Sequence, residues 1–307
     1  GLAFALNAAH AGARVVLAGR PNRTPRIEGA SARVAALLAG LGLDGKQLGP
    51  RLPRRADWPG LETAGNSEHL VMRPTLDAAL MDAVRQAGVT VVEAHVRRLE
   101  PGTGTLELEG GGTIRAALLA EARGRRAAVG PGRRRGPATI AIAGFVDGPA
   151  GQPGSRVVAR EQGWMWHARG HDGALWVQIS ADADDLRRRG PDALWAELTG
   201  GLPMPLKPLV RAAELRLVRP ELTPGCLALG DAAVAMDPLS GHGMFWALSS
   251  ALSALPMARA MLDGEVEMAR RFYRERVVET FLRQARIGRD FHAFAAPAFG
   301  DAPFWRS

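Results

Sequence analysis

The spacing of apolar residues changes along the chain and predicts two kinds of architecture. Residues 1–12 and 32–41 carry apolar side chains at intervals typical of one buried helix face, and short apolar runs at 13–18 and 226–229 are typical of buried strands. From residue 139 to residue 180 the pattern becomes one of closely spaced strands, the first at 139–146, and a short helix follows at 191–199. This order predicts an α/β protein with an antiparallel sheet inserted into it.

The elements are predicted to form three parts: a discontinuous Rossmann-like domain, a substrate-domain sheet inserted into it and a C-terminal helical segment. These parts are residues 1–136 with 210–264, residues 137–209 and residues 265–307. The segment 46–70 is rich in proline, arginine and glycine, and we interpret it as a long excursion of the first domain over the active-site face.

The start of the sequence has the pattern of half a dinucleotide-binding unit. A helix at residues 1–12 is followed by the strand at 13–18, and Gly1 takes the place of the last glycine of G-x-G-x-x-G. The first strand and the two earlier glycines are not in the sequence. Such a unit usually ends its second strand with an acidic residue, but here Gly19 and Arg20 follow the strand. Arg20 either contacts a phosphate or is a solvated loop residue.

The stretch around Asp231 predicts a ligand site. The apolar strand 226–229 leads into Gly230 and Asp231, a loop with Pro238, and a helix that starts near Gly243. An aspartate at a strand end accepts hydrogen bonds from sugar-like hydroxyls, and glycines let backbone N–H groups and a helix N-terminus approach a ligand. Unless this is an ordinary strand, turn and helix, it is a site for a polyhydroxylated anionic cofactor.

Gly-Asp-Ala-Ala, a downstream proline and Gly-x-Gly before an apolar helix together resemble the second FAD fingerprint of the class A flavoprotein monooxygenases. This para-hydroxybenzoate hydroxylase-like group also includes the flavin-dependent halogenases. The resemblance implies a Rossmann-like FAD-binding domain, an inserted antiparallel β-sheet substrate domain and C-terminal helices, with Asp231 on the ribityl chain. The cofactor-binding candidates are Gly1, Arg20, Arg26, Arg73, Gly124, Gly230, Asp231, Pro238, Gly241, His242 and Gly243.

Three further segments match the family in part. Arg26-Ile-Glu-Gly29 resembles an Arg-x-Gly-Glu turn of halogenase-like members with glutamate and glycine exchanged. Arg73 begins a motif whose arginine lies against FAD in the family, although a simple pair with Asp77 is the alternative. Glu121 stands where the family has an aspartate near the pyrophosphate, and the arginine-rich turn after it either binds phosphates or is a solvated basic turn.

The resemblance implies hydroxylation of an electron-rich aromatic ring through a flavin C4a-hydroperoxide, with O₂ and with NADH, NADPH or another reductant. Residues 302–306 resemble the C-terminal segment of hydroxylases that act on a tryptophan of a partner protein in tryptophylquinone biogenesis. The alternatives are a halogenase or reductase of the same fold, and a basic binding protein on a non-catalytic flavoprotein scaffold. Residues 163–167 resemble a halogenase Trp-x-Trp strand, but neither Lys46 nor Lys207 has a convincing halogenase context, which favours hydroxylation.

The candidates for proton handling are His167, Asp237 and His242. Each has a structural alternative: a packed core histidine, a turn former before proline, and a loop residue. Trp164, Trp166 and Trp246 are candidates for an aromatic substrate pocket, although core packing accounts for them equally well.

Composition limits the kinds of ligand, partner and compartment that fit the sequence. The chain has 307 residues, is 47% hydrophobic and carries a net charge of +8, almost all of it from arginine. That excess attracts anionic cofactors or partners, but the arginines are scattered and not interleaved with aromatic residues, which disfavours nucleic acid. A single cysteine, the absence of an 18-residue apolar run and the absence of a metal-ligand cluster favour a cytoplasmic protein without metal or membrane span.

Overall fold

The computed structural model describes residues 1–61, 66–127, 133–219, 221–300 and 302–306. The end of the predicted excursion, residues 62–65, lies outside these residues. The helices are α1 (Leu2–His10), α2 (Ala32–Ala39), α3 (Arg73–Gln86), α4 (Ala183–Arg189), α5 (Pro191–Thr199), α6 (Gly243–Leu262), α7 (Val266–Phe299) and α8 (Pro303–Arg306).

The strands follow the same numbering along the chain. They are β1 (Val16–Ala18), β2 (Ile27–Ala30), β3 (Arg51–Asp57), β4 (Asn66–Met72), β5 (Thr90–Val92), β6 (Val96–Glu100), β7 (Thr105–Leu108), β8 (Thr113–Arg115), β9 (Leu119–Glu121), β10 (Arg134–Arg135), β11 (Thr139–Val146), β12 (Gly154–Arg160), β13 (Gly163–Arg169), β14 (Leu175–Asp182), β15 (Leu209–Ala212), β16 (Arg216–Leu217), β17 (Cys226–Ala228) and β18 (Val234–Ala235).

Two parallel strand pairs lie beneath the predicted cofactor residues. Strand β1 pairs with β5, and β9 pairs with β17 although the two are far apart in the sequence. Parallel pairs of short apolar strands connected through helices are the arrangement expected of a Rossmann-like unit. Helix α1 packs on α3 and α6, so apolar residues that are far apart in the sequence share one core. The predicted fold class is confirmed.

A single eight-stranded sheet forms the second layer, in the order β15-β11-β14-β13-β12-β3-β4-β2. Its neighbours are antiparallel except for β12 and β3, which run parallel. Within the predicted excursion 46–70, strands β3 and β4 extend this sheet. The domain boundaries at residues 137, 210 and 265 stay predictions.

The two faces of this sheet have different neighbours. Residues on one face, including Met165, pack with Trp195 under α4 and α5; we call this the outer face. Alternate residues point the other way, and Trp164 packs with Leu239 and Phe304 on what we call the inner face. The inner face thus meets the loop before α6 and the C-terminal helices. Among the described residues no helix is long and apolar enough to cross a membrane.

Candidate active site

The two glycine turns predicted to act together are neighbours in space. Gly1 is the N-cap of α1, and a Cβ atom added to it would lie 3.3 Å from Cβ of Ala122. Two residues further, a Cβ atom added to Gly124 would lie 3.9 Å from Cβ of Asp231. The turn after β9 therefore connects the N-terminus of α1 with the Gly-Asp turn after β17. One continuous cradle joins Gly1 to Asp231.

The Gly-Asp turn is held directly against α6. Gly230 has a φ of 53°, which favours glycine, and a Cβ atom at this position would lie 3.3 Å from Cα of Ala247. Its backbone N–H donates to Oγ of Ser250 at 2.9 Å. These contacts need the absence of a side chain at Gly230, and they fix the direction in which Asp231 leaves the turn.

Arg125 joins two loops to the cradle, and in the sequence it is distinguished only as part of the arginine-rich turn after Glu121. Its Nη1 atom donates to the Glu214 carbonyl at 2.8 Å, and Nη2 donates to the Met236 carbonyl at 2.6 Å. Its Nε atom lies 3.9 Å from Oδ2 of Asp231. Burial raises the pKa of Asp231, and the charge of Arg125 opposes that rise.

A network of ion pairs contains Arg26 and Arg73. Arg26 Nε lies 2.9 Å from Glu28 Oε1, while Arg73 pairs with Glu28 Oε2 and with Asp77 Oδ1, both at 2.9 Å. The structure therefore contains the predicted pair between Arg73 and Asp77. The charges of Arg73 and Glu28 also act on Asp231. This network adjoins the cradle.

The loop between Asp237 and α6 is short and tightly hydrogen-bonded. Asp237 Oδ1 accepts from the Leu239 N–H at 2.8 Å, the Ser240 hydroxyl donates to the Asp237 carbonyl, and Pro238 opens this turn. Gly241 adopts a φ of 63° before α6 begins. The loop places the N–H groups of the first turn of α6 beside the cradle, where an anionic or carbonyl group would be favoured.

Burial raises the pKa of Asp237 to about 6 from the ordinary 3.8. The folded protein binds the Asp237 proton more tightly than the unfolded chain does. The resulting contribution to the free energy of unfolding is complete below pH 3.8 and is lost as pH rises through 6. A shift of this size corresponds to about 3 kcal/mol. In flavin-free protein we therefore expect the stability of Asp237→Asn relative to wild type to increase by up to about this amount as pH rises from pH 4 to pH 8.

Urea unfolding of both proteins across that pH range measures the difference in the free energy of unfolding. The asparagine side chain of this variant keeps an oxygen that accepts the Leu239 N–H, so the turn is preserved. The exposed residue Asp263, at the C-terminal end of α6, provides the control substitution Asp263→Asn. A constant difference between Asp237→Asn and wild type would contradict the assignment.

His242 is the N-cap of α6 and contacts α7. Its Nδ1 atom lies 3.3 Å from Nε2 of Gln284. Burial lowers the pKa of His242, the contact with Gln284 opposes this, and the charges of Arg283, Arg33 and Arg54 lower it further. The imidazole is therefore neutral at pH 7, and when Nδ1 accepts from Gln284 the ring proton is on Nε2.

His167 and Trp246 do not join the other site candidates. His167 follows Met165 on the outer face of β13, opposite Arg156, and burial lowers its pKa together with the charges of Arg156 and Arg169. Trp246 packs in the core beneath the Gly-Asp turn, with Arg276 5.7 Å from its ring centroid. Arg20 lies exposed at the end of β1. Their roles stay predictions without geometric support.

The inner face carries more aromatic surface than the sequence analysis identified. Trp164 is buried with Leu239, and Trp166 packs beside it. Further along the face, Trp176 and Phe145 make an edge contact with ring centroids 5.0 Å apart. The half-buried residues of this region are Met72, Phe145, Trp166 and Leu209. Strand alternation could have placed Phe145 and Trp176 here, but not which face was the inner one.

The polar atoms of the cradle suit an extended anionic ligand with hydroxyl groups. Arg26 Nη1 and Arg73 Nε are buried and have no hydrogen-bond partner among the described residues. Unpaired buried donors are costly, so such atoms indicate a missing acceptor. Asp231 supplies the complementary acceptor for hydroxyl groups, and Gly1 leaves the N-terminus of α1 accessible. This donor and acceptor set fits the flavin dinucleotide that the resemblance implies.

Comparisons with known proteins agree with this geometry. Among solved structures the chain is similar to the peptidyl tryptophan dihydroxylase QhpG, essential for tryptophylquinone cofactor biogenesis, with 33% identity, a TM-score of 0.83 and coverage of 99% of this chain and 75% of that one. For CmlS, a flavin-dependent halogenase, identity is 20%, the TM-score is 0.81, and coverage is 99% of this chain and 64% of that one.

A tetrameric form of 2-methyl-3-hydroxypyridine-5-carboxylic acid oxygenase gives 20% identity, a TM-score of 0.71 and coverage of 98% of this chain and 90% of that one. At 20% identity, the halogenase and this oxygenase show a shared fold only. No family model matches the chain, and no curated protein matches it by sequence.

Proposed function

Because this chain belongs to the class A flavoprotein monooxygenases, we propose that it hydroxylates an electron-rich aromatic ring, namely a tryptophan side chain of a partner protein. Family membership makes the chain a flavin-dependent oxidoreductase and confirms the resemblance found in the Gly-Asp stretch. The substrate proposal is carried by the 33% identity to a peptidyl tryptophan dihydroxylase across 99% of this chain. We further propose FAD as the flavin, O₂ as the oxidant and NADH or NADPH as the electron donor.

The cradle residues divide the binding of FAD between them. Asp231 accepts hydrogen bonds from hydroxyl groups, and the N-termini of α1 and α6 offer backbone N–H groups to anionic or carbonyl oxygens. Arg26 and Arg73 supply buried donors that are otherwise unpaired among the described residues. Gly124 and Gly230 let the backbone come close to the ligand. A bound flavin supplies the two-electron redox chemistry and the activation of oxygen.

Two polar side chains lie beside the cradle, and Asp237 is the one that can hold or release a proton near neutral pH. Asp237, with a pKa of about 6, changes its charge close to physiological pH. The neutral imidazole of His242 has Nδ1 occupied by Gln284 and carries its proton on Nε2, so it offers a hydrogen-bond donor beside the cradle. Both residues lie in the loop that leads into α6, so a proton transferred there stays next to the cradle. His167, on the outer face, is not part of this proposal.

The open part of the inner face provides the surface for an aromatic substrate. The half-buried rings of Trp166 and Phe145 offer surface on which an indole can pack, and the buried Trp176 makes an edge contact with Phe145. The Nε1 atom of Trp176 is buried and donates to no acceptor among the described residues, so it is available to a substrate carbonyl. Both lysines are exposed and Lys46 pairs with Asp44, which favours hydroxylation over halogenation.

The proposal is tested by product mass. We expect the FAD-loaded protein, given NADH or NADPH and O₂, to add one or two oxygen atoms to a tryptophan-containing partner protein destined to carry a tryptophylquinone. Peptide mass spectrometry with ¹⁸O₂ would locate the added oxygen on tryptophan. The same substrate with this tryptophan changed to phenylalanine should gain nothing.

Other outcomes separate the alternatives. A mass increase that depends on added bromide or chloride would identify a halogenase. Oxygen added only to small aromatic molecules would retain the hydroxylase and reject the protein substrate. Consumption of the nicotinamide donor without any product in a broad substrate panel would contradict the proposed hydroxylation.

A further inference from the structure

A buried carboxylate lies at the edge of the inner face that is nearest to the loop before α6. Glu68 on β4 is 7% exposed, and its carboxylate accepts a hydrogen bond from the Ser155 hydroxyl on β12. A Cβ atom at position 29 would overlap the Glu68 carboxylate, so Gly29 on β2 leaves the space that Glu68 occupies. Residues on three strands thus hold this carboxylate in place. None of these residues belongs to the cradle described above.

Arg54 on β3 connects this carboxylate to the loop before α6. Its Nη1 atom lies 3.7 Å from Oε2 of Glu68. A Cβ atom added to Gly241 would lie 3.7 Å from Nη1 and 3.9 Å from Nη2 of Arg54, so the guanidinium covers Gly241. Among the described residues Arg54 has the Glu68 carboxylate, at 3.7 Å, as its ion-pair partner and donates no hydrogen bond, so most of its N–H groups are available.

The charge of Arg54 is fixed in place and in sign. An arginine stays protonated at every pH at which the protein is folded. Its side chain is 31% exposed, so solvent screens it only in part. Nη1 lies near both Glu68 and Gly241, and Nη2 also lies near Gly241, so the guanidinium is held between the carboxylate and the loop. An exposed, mobile arginine would offer a weaker and less directed charge.

We propose that Arg54 stabilises the negative charge of the two-electron-reduced flavin at the loop formed by residues 237–243. Transfer of a hydride from the nicotinamide donor adds two electrons and one proton, which leaves the reduced ring system with one additional negative charge. Arg54 and the N-terminus of α6 then act on that charge from two directions. This inference rests on the proposed function and adds a residue that controls the redox equilibrium.

The test compares flavin midpoint potentials in Arg54→Met and in wild type, measured by equilibration with a redox dye. Loss of the positive charge should weaken the binding of reduced flavin relative to oxidised flavin about tenfold, which lowers the midpoint potential by about 30 mV. Arg54→Lys, which keeps the charge, should recover at least half of the shift. The control is Arg55→Met, because Arg55 is exposed on the outer face of the same strand and should leave the potential unchanged.

The outcomes are distinguishable from failure of the proposed function. A wild-type protein that binds no flavin would reject the function itself. Flavin-loaded Arg54→Met with the wild-type potential would overturn the inference alone, as would an equal shift in Arg55→Met. If the methionine variant does not fold, Arg54→Gln removes the same charge with a polar side chain and should show the same shift; a wild-type potential there overturns the inference.

Discussion

Replacing Asp231 with alanine should abolish stable flavin binding while the protein stays folded. Asp231 lies at the end of β17, where Arg125 and the fixed turn at Gly230 direct its carboxylate into the cradle. Each hydrogen bond from a flavin hydroxyl to a carboxylate contributes about 1.5–3 kcal/mol. Loss of two such bonds weakens affinity by at least about a hundredfold. The flavin absorbance of purified protein and titration of flavin-free protein with FAD measure this effect.

Stability should change little in this variant, because Asp231 is 36% exposed and burial raises its pKa. Removal of a partly desolvated carboxylate relieves a cost and leaves Arg125 with its three carbonyl acceptors. Asp263→Ala, at the other end of α6, is the matched control and should bind flavin like wild type. Wild-type flavin content in Asp231→Ala would refute the assignment of the Gly-Asp turn.

The sequence predicted those helices, strands and turns whose structure is determined by residues a few positions apart. The strand at residues 139–146 and the helix at residues 191–199 have the predicted bounds. The cradle was also predictable, because strand, glycine and aspartate stand next to each other around Gly230 and carry their own local geometry. In these cases the hydrophobic period and the turn residues act within a few positions.

Contacts between distant segments were not predictable in the same way. Strand β3 contains Pro53 and several arginines, which hide its alternation, and its pairing with β12 and β4 supplies the hydrogen bonds that the local sequence does not indicate. Arg125 donates to carbonyls that are 88 or more positions away, and Arg54 meets a carboxylate on another strand. A scattered arginine in an arginine-rich sequence gives no sign of such a role. Trp246 is close in sequence to the loop before α6, but its side chain packs in the core beneath the Gly-Asp turn, so its role in a substrate pocket stays a prediction.

The C-terminal helices are joined to the loop of residues 237–243 by a shared aromatic core. Trp305 on α8 is 3% exposed and packs with Trp58, Phe304 and Leu239. Its ring centroid is 5.4 Å from that of Trp58. Leu239 belongs to the turn that follows Asp237. This core therefore connects the sheet, α8 and the loop beside the cradle. A substitution that loosens the core should affect the active site through Leu239.

Trp305→Ala should lower the free energy of unfolding by about 3–5 kcal/mol, the range found for buried tryptophan. It removes the packing against Trp58 and the hydrogen bond from Nε1 to the Arg160 carbonyl at 2.8 Å. Phe272→Ala, at a position 46% exposed on α7, should change stability by less than about 0.5 kcal/mol. Urea unfolding of both variants measures the contrast, and equal losses would show that this core does not hold the helices.

Because Leu239 loses a packing partner, FAD affinity should fall in Trp305→Ala and stay unchanged in Phe272→Ala. A folded Trp305→Ala with wild-type FAD affinity would show that the aromatic core does not support the cradle.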